Sequence, residues 1–379
     1  MFEIPFLRPN LVKKERLLSY FAQIEESRIY SNYGPLNKKF EERVIDQMFQ
    51  GTGAAVTVHN ATLGLMLAIS QSKRPQGKYA VMPSFTFAAT PLAAEWCGLE
   101  PYFLDIERDD WQMNRDQLER TVEKLGPQIA VVVPYATFGT AIDLSVYNML
   151  VHRGIPVVID AAASFGTVTP EEAAQFGKGF TGAVVFSFHA TKTFGIGEGG
   201  LVYSADRDLI QRIRQAGNFG FSSARESVMP GLNSKISEYT AAIALATFDQ
   251  FQTSIDKRKA IIDSYRRELA RTGLLEQGWS VQKIQGNVPL QFFSILSPSS
   301  LDNREVVHRL AAHSIEARTY FSPACHQQKH FKRYPHSNLR VTEHVAKHIV
   351  SLPLWEEMNE TTVQTIVGAL ASMGGEASK

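Results

Sequence analysis

The residue with the clearest capacity for chemistry is Lys192, a lysine that follows a buried strand. It lies five residues after Ser187, the last residue of the apolar run Ala183–Ser187. A lysine in a desolvated pocket loses its proton more readily than a surface lysine, and its free amine then acts as a nucleophile or as a base. Most lysines are solvated surface charges, but a position behind a buried strand end favours the chemical role.

Asp160 occupies a similar place, because it ends the apolar run of residues 157–160. An acid at a strand end can hold a metal ion, as in nucleoside triphosphatases, but the sequence lacks the Gly-x4-Gly-Lys-Ser/Thr loop found there. Two interpretations stay open at this point. Asp160 either caps the segment that follows it, or provides an anionic partner for the ring nitrogen of a cofactor. No metal site is predicted.

A third group of residues follows the strand predicted at Ala54–Val58. Asn60, Ala61 and Thr62 come directly after this strand and open a helix. Backbone N–H groups at a helix N-terminus bind anions, phosphate in particular. Asn and Thr are also common as simple helix caps, so the segment fits both a phosphate site and an ordinary cap.

A glycine-rich segment at residues 195–200 satisfies the Gly-x-Gly-x-x-Gly pattern of dinucleotide-binding proteins. In those proteins the glycines follow a strand and open a helix. Here they precede the strand predicted at Gly200–Ser204, which is the wrong order. The pattern therefore does not predict a nicotinamide site.

Short apolar runs alternate with amphipathic stretches over residues 36–250, which is typical of an α/β fold whose mostly parallel sheet lies between helices. Strands are predicted at residues 54–58, 79–82, 101–105, 129–134, 156–160, 183–187 and 200–204. Helices are predicted at residues 63–70, 88–96, 115–125 and 145–152, with a long helical region at residues 235–272. Ligands bind such sheets at the carboxyl ends of the strands, where Asp160 and Ser187 lie.

The length of the chain, 379 residues, predicts two domains, because single cores of this size are uncommon. We assign residues 1–250 to a large α/β domain that includes the N-terminal segment. Residues 251–379 are assigned to a smaller C-terminal α+β domain with a strand at residues 316–319. Residues 374–379 are expected to fray.

The overall composition excludes several classes of partner. Lys and Arg number 39 against 38 Asp and Glu, so no global field attracts nucleic acid or an anionic membrane. No apolar run approaches the roughly 20 residues that span a bilayer. The two cysteines, Cys97 and Cys325, do not suffice for a disulfide framework, and the first residues lack the pattern of a signal peptide. The expected location is the cytoplasm.

Several short motifs, taken in order, resemble those of one family, the DegT/DnrJ/EryC1/StrS aminotransferases. Each motif is common alone, but the ordered set extends over nearly the whole chain. The motifs are Gly34-Pro35 with Phe40-Glu41, Asn60-Ala61-Thr62, Pro83-Ser84-Phe85-Thr86-Phe87, Asp160-Ala161-Ala162, Ser187-Phe188-His189-x-x-Lys192, Gly197-Glu198-Gly199-Gly200, Asn233-Ser234-Lys235-Ile236-Ser237-Glu238 and Ser351-Leu352-Pro353.

The resemblance implies fold type I of the pyridoxal 5'-phosphate (PLP) enzymes and assigns roles to the three strand ends. Lys192 would bind PLP covalently and, once free, would move the proton on the substrate carbon. Asp160 would pair with the pyridine nitrogen. The backbone of Ala61 and Thr62 and the hydroxyl of Ser187 would hold the phosphate.

The same resemblance implies five further site residues. Phe87 would stack on the cofactor ring, and Asn233 would reach the phosphate of the neighbouring subunit, which implies an obligatory homodimer with composite active sites. His326 occupies the place of a substrate-side histidine in the family. Arg225 and Lys235 are expected to bind the anionic groups of a sugar diphosphate or of the amino donor.

Three motifs depart from the family pattern. The family continues Asp-Ala-Ala with Gln or His, which helps to fix the cofactor ring, whereas this chain has Ala163, followed by Ser164. The usual Asn-x-Arg becomes Asn233-Ser234-Lys235, and lysine does not offer the planar fork of arginine. The usual Ser-Gly-Thr becomes Asn60-Ala61-Thr62, which requires that residue 61 has no positive φ.

The predicted function is therefore the transfer of an amino group from glutamate to a keto sugar, which the resemblance implies is linked to a nucleotide. One alternative is a ketone without a nucleotide, such as a cyclitol or an antibiotic precursor. A dehydratase is disfavoured, because that branch of the family has histidine where this chain has Lys192. A further alternative is a PLP-binding sensor without turnover, although no DNA-binding segment is evident.

Overall fold

The fold is organised around a sheet that carries the predicted site at one edge. The computed structural model describes residues 2–169 and 173–373, so the tail predicted to fray at residues 374–379 lies outside the described residues. The strands are β1 Ala54–Val58, β2 Tyr79–Pro83, β3 Glu100–Leu104, β4 Ile129–Val132, β5 Val158–Asp160, β6 Val168–Thr169, β7 Ala174–Gln175, β8 Ala183–Ser187, β9 Gly200–Ser204, β10 Ser280–Val281, β11 Phe293–Leu296 and β12 Ile349–Leu352.

The helices fall between these strands and after them, as the alternating pattern of the sequence predicts. They are α1 Leu18–Ser27, α2 Pro35–Met48, α3 Ala61–Ser72, α4 Ala89–Trp96, α5 Arg115–Leu125, α6 Leu144–His152, α7 Arg207–Ala216, α8 Glu238–Phe248, α9 Phe251–Thr272, α10 Asn303–Ala312, α11 Arg340–His348 and α12 Glu360–Ser372. Short 3-10 helices occur at Lys14–Arg16, Gly126–Gln128, Thr137–Gly139 and Cys325–Gln327.

Seven strands form the main sheet, in the order β3-β2-β4-β5-β8-β9-β1. Two ladders make up most of it, β3-β2-β4 and β5-β8-β9-β1, and parallel bridges between Val132 and Val157 and between Tyr135 and Asp160 join them. Strand β9 is antiparallel to both of its neighbours, and the other six strands share one direction. The predicted mostly parallel sheet is therefore confirmed, and the carboxyl ends of β1, β5 and β8 meet at one edge.

Helices cover both faces of this sheet, since each buried strand presents apolar side chains on both sides. In β1, Val56 and Val58 pack into a core cluster with Leu65 of α3. Ala55 points the other way and joins the cluster of Phe40 from α2. This two-sided burial fixes the direction of each strand end, and hence of the residues that follow it.

The predicted helical region is present as two helices, whereas one predicted strand is absent from the described residues. The long helical region at residues 235–272 consists of α8 and α9, because Gln250 between them has φ −116° and ψ 3°, outside the helical range. The strand predicted at residues 316–319 is wrong. Arg318 pairs with Ser351 through two backbone hydrogen bonds, but the chain turns directly afterwards, with Ser322 N donating to Thr319 O, so the pairing ends there.

The C-terminal part has its own sheet and core. Strands β10, β11 and β12 form an antiparallel sheet, and α9 and α12 pack against each other beside it. The N-terminal segment packs here as well, since Ile4 bridges Ile315 and Trp355 Nε1 donates to Pro5 O. The domain boundary at residue 250, which falls between α8 and α9, stays a prediction. No helix in the described ranges has the length and apolarity that crossing a membrane requires.

Candidate active site

A pocket of about 450 Å³ lies at the carboxyl edge of the main sheet. It is partly open to the outside, and its floor is formed by the ends of β5 and β8 and by the start of α3. Six of the residues that the sequence assigns to a cofactor line it, namely Ala61, Thr62, Phe87, Asp160, Ser187 and Lys192. Residues that are distant in sequence therefore converge where the strand-end argument places them.

Lys192 lies in the turn after β8, where its N–H donates to His189 O at 2.8 Å. The side chain is half-buried, and its Nζ donates to Gln291 Oε1 at 3.2 Å. Burial lowers the pKa of the Lys192 amine, since a charged ammonium loses its hydration there, while the Asp160 carboxylate acts in the opposite direction. The amine therefore loses its proton more readily than an exposed lysine, as a nucleophile or base requires.

Asp160 is 2% exposed at the end of β5, and its carboxylate accepts from Thr90 Oγ1 at 2.6 Å and from Ala162 N at 3.1 Å. Burial raises the pKa of this carboxyl, and the two hydrogen bonds and the charge of Lys192 oppose that effect. A buried carboxylate is stabilised by a cation against it, and the described residues place no arginine or lysine within ion-pair distance. A protonated ring nitrogen in the pocket would supply that cation.

The predicted phosphate end lies at the N-terminus of α3. Asn60 is the N-cap and accepts from Leu63 N at 2.9 Å, and Ala61 and Thr62, the first two residues of the helix, line the pocket. A Cβ at Gly200 would lie 3.0 Å from Ala61 N, so glycine at this position of β9 keeps the helix N-terminus clear. Ala61 is not among the residues with positive φ, so alanine replaces the family glycine without backbone strain.

An aromatic wall lies across the pocket from the sheet. Phe87 is 58% exposed, and its ring centre lies 6.0 Å from that of Phe321. Phe138, Phe292 and Tyr320 continue the wall. Only Phe87 of these rings is predictable from the sequence, because the others come from loops and from the C-terminal part, and no local spacing connects them.

Several other predicted residues lie outside this pocket. The side chain of Lys235 donates to Asn218 Oδ1 at 2.7 Å, while Asn233 and Arg225 are exposed in the neighbouring segment. His326 has its Nδ1 at 2.7 Å from Ser84 Oγ and its Nε2 at 3.4 Å from Glu343 Oε1. The structure thus does not bring these four residues to the site of the same chain, and their roles stay predictions.

His189 and Glu198 lie at the rim of the pocket, and Ala163, one of the departures from the family pattern, lines it. Glu198 lines the pocket, 3.6 Å from His189 Nε2. Ala163 also lines it, so a methyl group stands where the family has an amide or imidazole. The hydroxyl of Ser164 is buried without a hydrogen-bond partner and does not line the pocket, so it does not take over the missing contact.

The donors and acceptors of this pocket match PLP in kind and in order. A lysine amine, a buried carboxylate for a ring nitrogen, and a helix N-terminus with a hydroxyl for a phosphate surround one cavity. The described residues contain no group of three or more His, Cys, Asp or Glu side chains able to hold a metal. Fold and site together define a PLP enzyme of fold type I.

Comparison with known proteins identifies the family. Residues 12–371 match the DegT/DnrJ/EryC1/StrS aminotransferase family, and the chain belongs to it. The chain is therefore a PLP-dependent aminotransferase, which confirms the predicted family, fold and cofactor.

Three similar proteins illustrate the match. A protein of Bacillus cereus ATCC 10987, named as a candidate PLP-dependent aminotransferase, is 49% identical with a TM-score of 0.95, over 97% of this chain and 99% of the other. DesI, solved in the presence of its TDP-sugar product, is 32% identical with a TM-score of 0.88, over 99% and 94%. The dTDP-4-amino-4,6-dideoxy-D-glucose transaminase of Escherichia coli is 27% identical over 97% of this chain and 98% of its own.

Proposed function

We propose that this aminotransferase converts a keto sugar linked to a nucleotide into an amino sugar, with glutamate as the amino donor. The observation that carries the proposal is the pocket in which Lys192, Asp160 and the N-terminus of α3 converge. Support for a nucleotide-linked sugar comes from the likeness to DesI and to the Escherichia coli transaminase, whose names refer to TDP-sugars.

The chain's own residues divide the work in the proposed reaction. PLP, when bound, supplies an electron sink that lets an amino group pass between a donor and a ketone. The Lys192 amine holds and moves the proton at the substrate carbon, which its lowered pKa favours. Asp160 keeps a positive charge on the ring nitrogen, and Ser187 with the N-terminus of α3 orients the phosphate.

A homodimer with shared active sites is part of the proposal. Asn233, Lys235 and Arg225 lie away from the pocket of their own chain, on a segment with exposed apolar side chains such as Phe219 and Val228. We propose that Asn233 reaches the phosphate of the partner subunit, and that Lys235 and Arg225 contact its anionic substrate. We also propose that the protein is located in the cytoplasm. Its two cysteines are free thiols in the structure, as is usual in a reducing compartment.

Mixed dimers test this arrangement. Asn233→Ala and Lys192→Ala variants carry their defects in different residues, so one of the two sites in a mixed dimer regains a full set. Verified mixed dimers are expected to have about half of the wild-type activity, because one of their two sites is complete, and a random equimolar mixture about a quarter, because about half of its dimers are mixed. Mixed dimers that stay inactive would show that each chain builds its own site.

The alternative substrates differ in a measurable way. The purified holoenzyme should change its cofactor absorbance when glutamate is added, and the changed form should return to the original spectrum with a suitable ketone. A panel of keto-sugar nucleotides beside cyclitol ketones then separates the main proposal from the alternative without a nucleotide. A cofactor spectrum that responds to no amino donor would contradict transamination and favour the sensor.

A further inference from the structure

The amine of Lys192 has a hydrogen-bond partner that comes from the C-terminal part of the chain. Gln291 Oε1 lies 3.2 Å from Lys192 Nζ, across 99 residues of sequence, and the Gln291 side chain lines the same pocket. An amine directed at this side chain donates its N–H, so the amide oxygen is the atom that faces it. Gln291 itself is 8% exposed, so its side chain is held by the surrounding protein, while the Lys192 amine faces the pocket.

Two adjacent contacts hold Gln291 in place. Its neighbours Pro289 and Leu290 both have occupied carbonyl groups: Thr193 Oγ1 donates to Pro289 O at 2.7 Å, and Arg258 Nη1 donates to Leu290 O at 3.1 Å. The first of these bonds starts from the residue directly after Lys192. The segment before β11 is therefore fastened to the lysine turn, and a side chain held in this way is preorganised for its partner.

We propose that Gln291 is a positioning residue that fixes the direction of the free Lys192 amine inside the cofactor pocket. The inference rests on the role of Lys192 as the cofactor lysine. An amine that moves a proton must stay within hydrogen-bond reach of the reacting carbon, and a partner on its far side limits the rotation of a flexible four-carbon stem. A neutral amide does this without adding a negative charge beside the amine.

The charged groups around the Lys192 amine explain why a neutral amide at residue 291 suits it. Asp160 approaches from β5 and favours the charged amine, while burial disfavours it. His189 and Glu198 lie at the rim of the pocket, Tyr135 and Tyr320 line its walls, and the Arg258–Glu356 pair lies behind the lysine. A carboxylate at residue 291 would add a second anion to the amine, whereas an apolar residue would remove its hydrogen-bond acceptor.

The test measures the protonation of Lys192 in the full-length chain after the cofactor has been removed. Reductive methylation with formaldehyde and cyanoborohydride is followed by mass spectrometry of the Lys192 peptide as a function of pH. Gln291→Glu should move the profile to higher pH and slow methylation at a fixed pH by roughly tenfold, because a nearby anion holds the proton. Gln291→Leu should move it to lower pH, since the charged amine loses an acceptor. In the holoenzyme both variants should lower kcat more than they raise KM.

A matched control separates positioning from general loosening. Thr193→Val removes the neighbouring bond to Pro289 O but leaves both Lys192 and the Gln291 amide in place, so it should lower stability and move the methylation profile much less than the Gln291 variants do. If the profiles of Gln291→Glu and Gln291→Leu equal that of the wild type, or if Thr193→Val moves the profile as far as they do, the inference is overturned. Should the leucine variant not fold, Gln291→Asn, which is too short to reach the amine, replaces it.

Failure of the inference can be told apart from failure of the proposed function. Borohydride fixes the cofactor of the wild-type holoenzyme to the residue that binds it. Fixation at a residue other than Lys192 would remove the basis of both, whereas fixation at Lys192 with unmoved methylation profiles would remove only the role of Gln291.

Discussion

Replacement of Asp160 by asparagine should preserve or raise the stability of the cofactor-free chain and should lower the activity of the holoenzyme. The side chain fits without rearrangement. The asparagine Oδ1 can still accept from Ala162 N, and Thr90, whose Oγ1 lies 2.8 Å from Thr86 Oγ1, can donate there and accept from the new amide. The substitution therefore removes a charge and leaves the hydrogen bonds in place.

The direction of the stability change in the cofactor-free chain follows from the burial of Asp160. Since burial raises the pKa of Asp160, the folded chain without cofactor binds this proton more tightly than the unfolded chain does. The corresponding stability is present in acid and is lost as the pH rises through the folded pKa. The asparagine side chain never ionises, so the cofactor-free variant should be at least as stable as the wild type at pH 7, and the difference should close toward pH 4.

In the holoenzyme, our proposal is that the same carboxylate would pair with the ring nitrogen, so that its loss would leave a buried cation without a partner. Removing one member of such a pair costs about 3 kcal/mol, which corresponds to roughly a 150-fold loss in kcat/KM. Urea unfolding of the cofactor-free chains and steady-state kinetics of the holoenzymes measure the two effects. Asp206→Asn, which exchanges one good N-cap of α7 for another, is the control and should change neither.

Two results for Asp160→Asn would contradict this reasoning. A kcat/KM within threefold of the wild type would show that Asp160 does not face the ring nitrogen. A cofactor-free Asp160→Asn chain that is clearly less stable than the wild type at pH 7 would show that the carboxylate is stabilised by contacts other than those described.

Three further substitutions test other parts of the account. Ser187→Ala should weaken PLP binding about 10- to 100-fold in a fluorescence titration, because a hydrogen bond to a charged phosphate is lost, and an unchanged Kd would place the phosphate elsewhere. Phe87→Ala should weaken PLP binding only about threefold to tenfold and leave the melting temperature unchanged, since the ring is largely exposed; a large loss of stability would show that Phe87 belongs to the core. Glu356→Gln should lower the free energy of unfolding by about 3–5 kcal/mol in urea, because it leaves the buried Arg258 without its carboxylate at 3.5 Å, and a change below about 1 kcal/mol would show that water reaches this pair.

The sequence predicts the floor of the pocket well, for a physical reason. Strands buried on both faces read as apolar runs, and parallel strands bring their carboxyl ends to one edge. Asp160 and Ser187 follow from this rule, because β5 and β8 are parallel neighbours in the sheet. The family motifs then add the role of Lys192 and the identity of the cofactor.

The contacts that tune these residues could not be predicted in the same way. Thr90 lies in α4, 70 residues before the carboxylate that it contacts, and Gln291 lies 99 residues after the lysine that it contacts. Both depend on how elements pack in three dimensions, which leaves no periodic signal in the chain. The helical region predicted at residues 235–272 is present, but the break inside it could not be predicted, since Gln250 alone has non-helical angles and the helical patterning continues on both sides of it.

The central claim is that Lys192 binds the cofactor, and borohydride reduction of the holoenzyme tests it most directly. The purified protein should be yellow, and reduction followed by proteolysis and mass spectrometry should find the reduced cofactor on the peptide that contains Lys192. Lys192→Arg should give no labelled peptide. A colourless protein that ignores added PLP, or a label on a different lysine, would contradict the account.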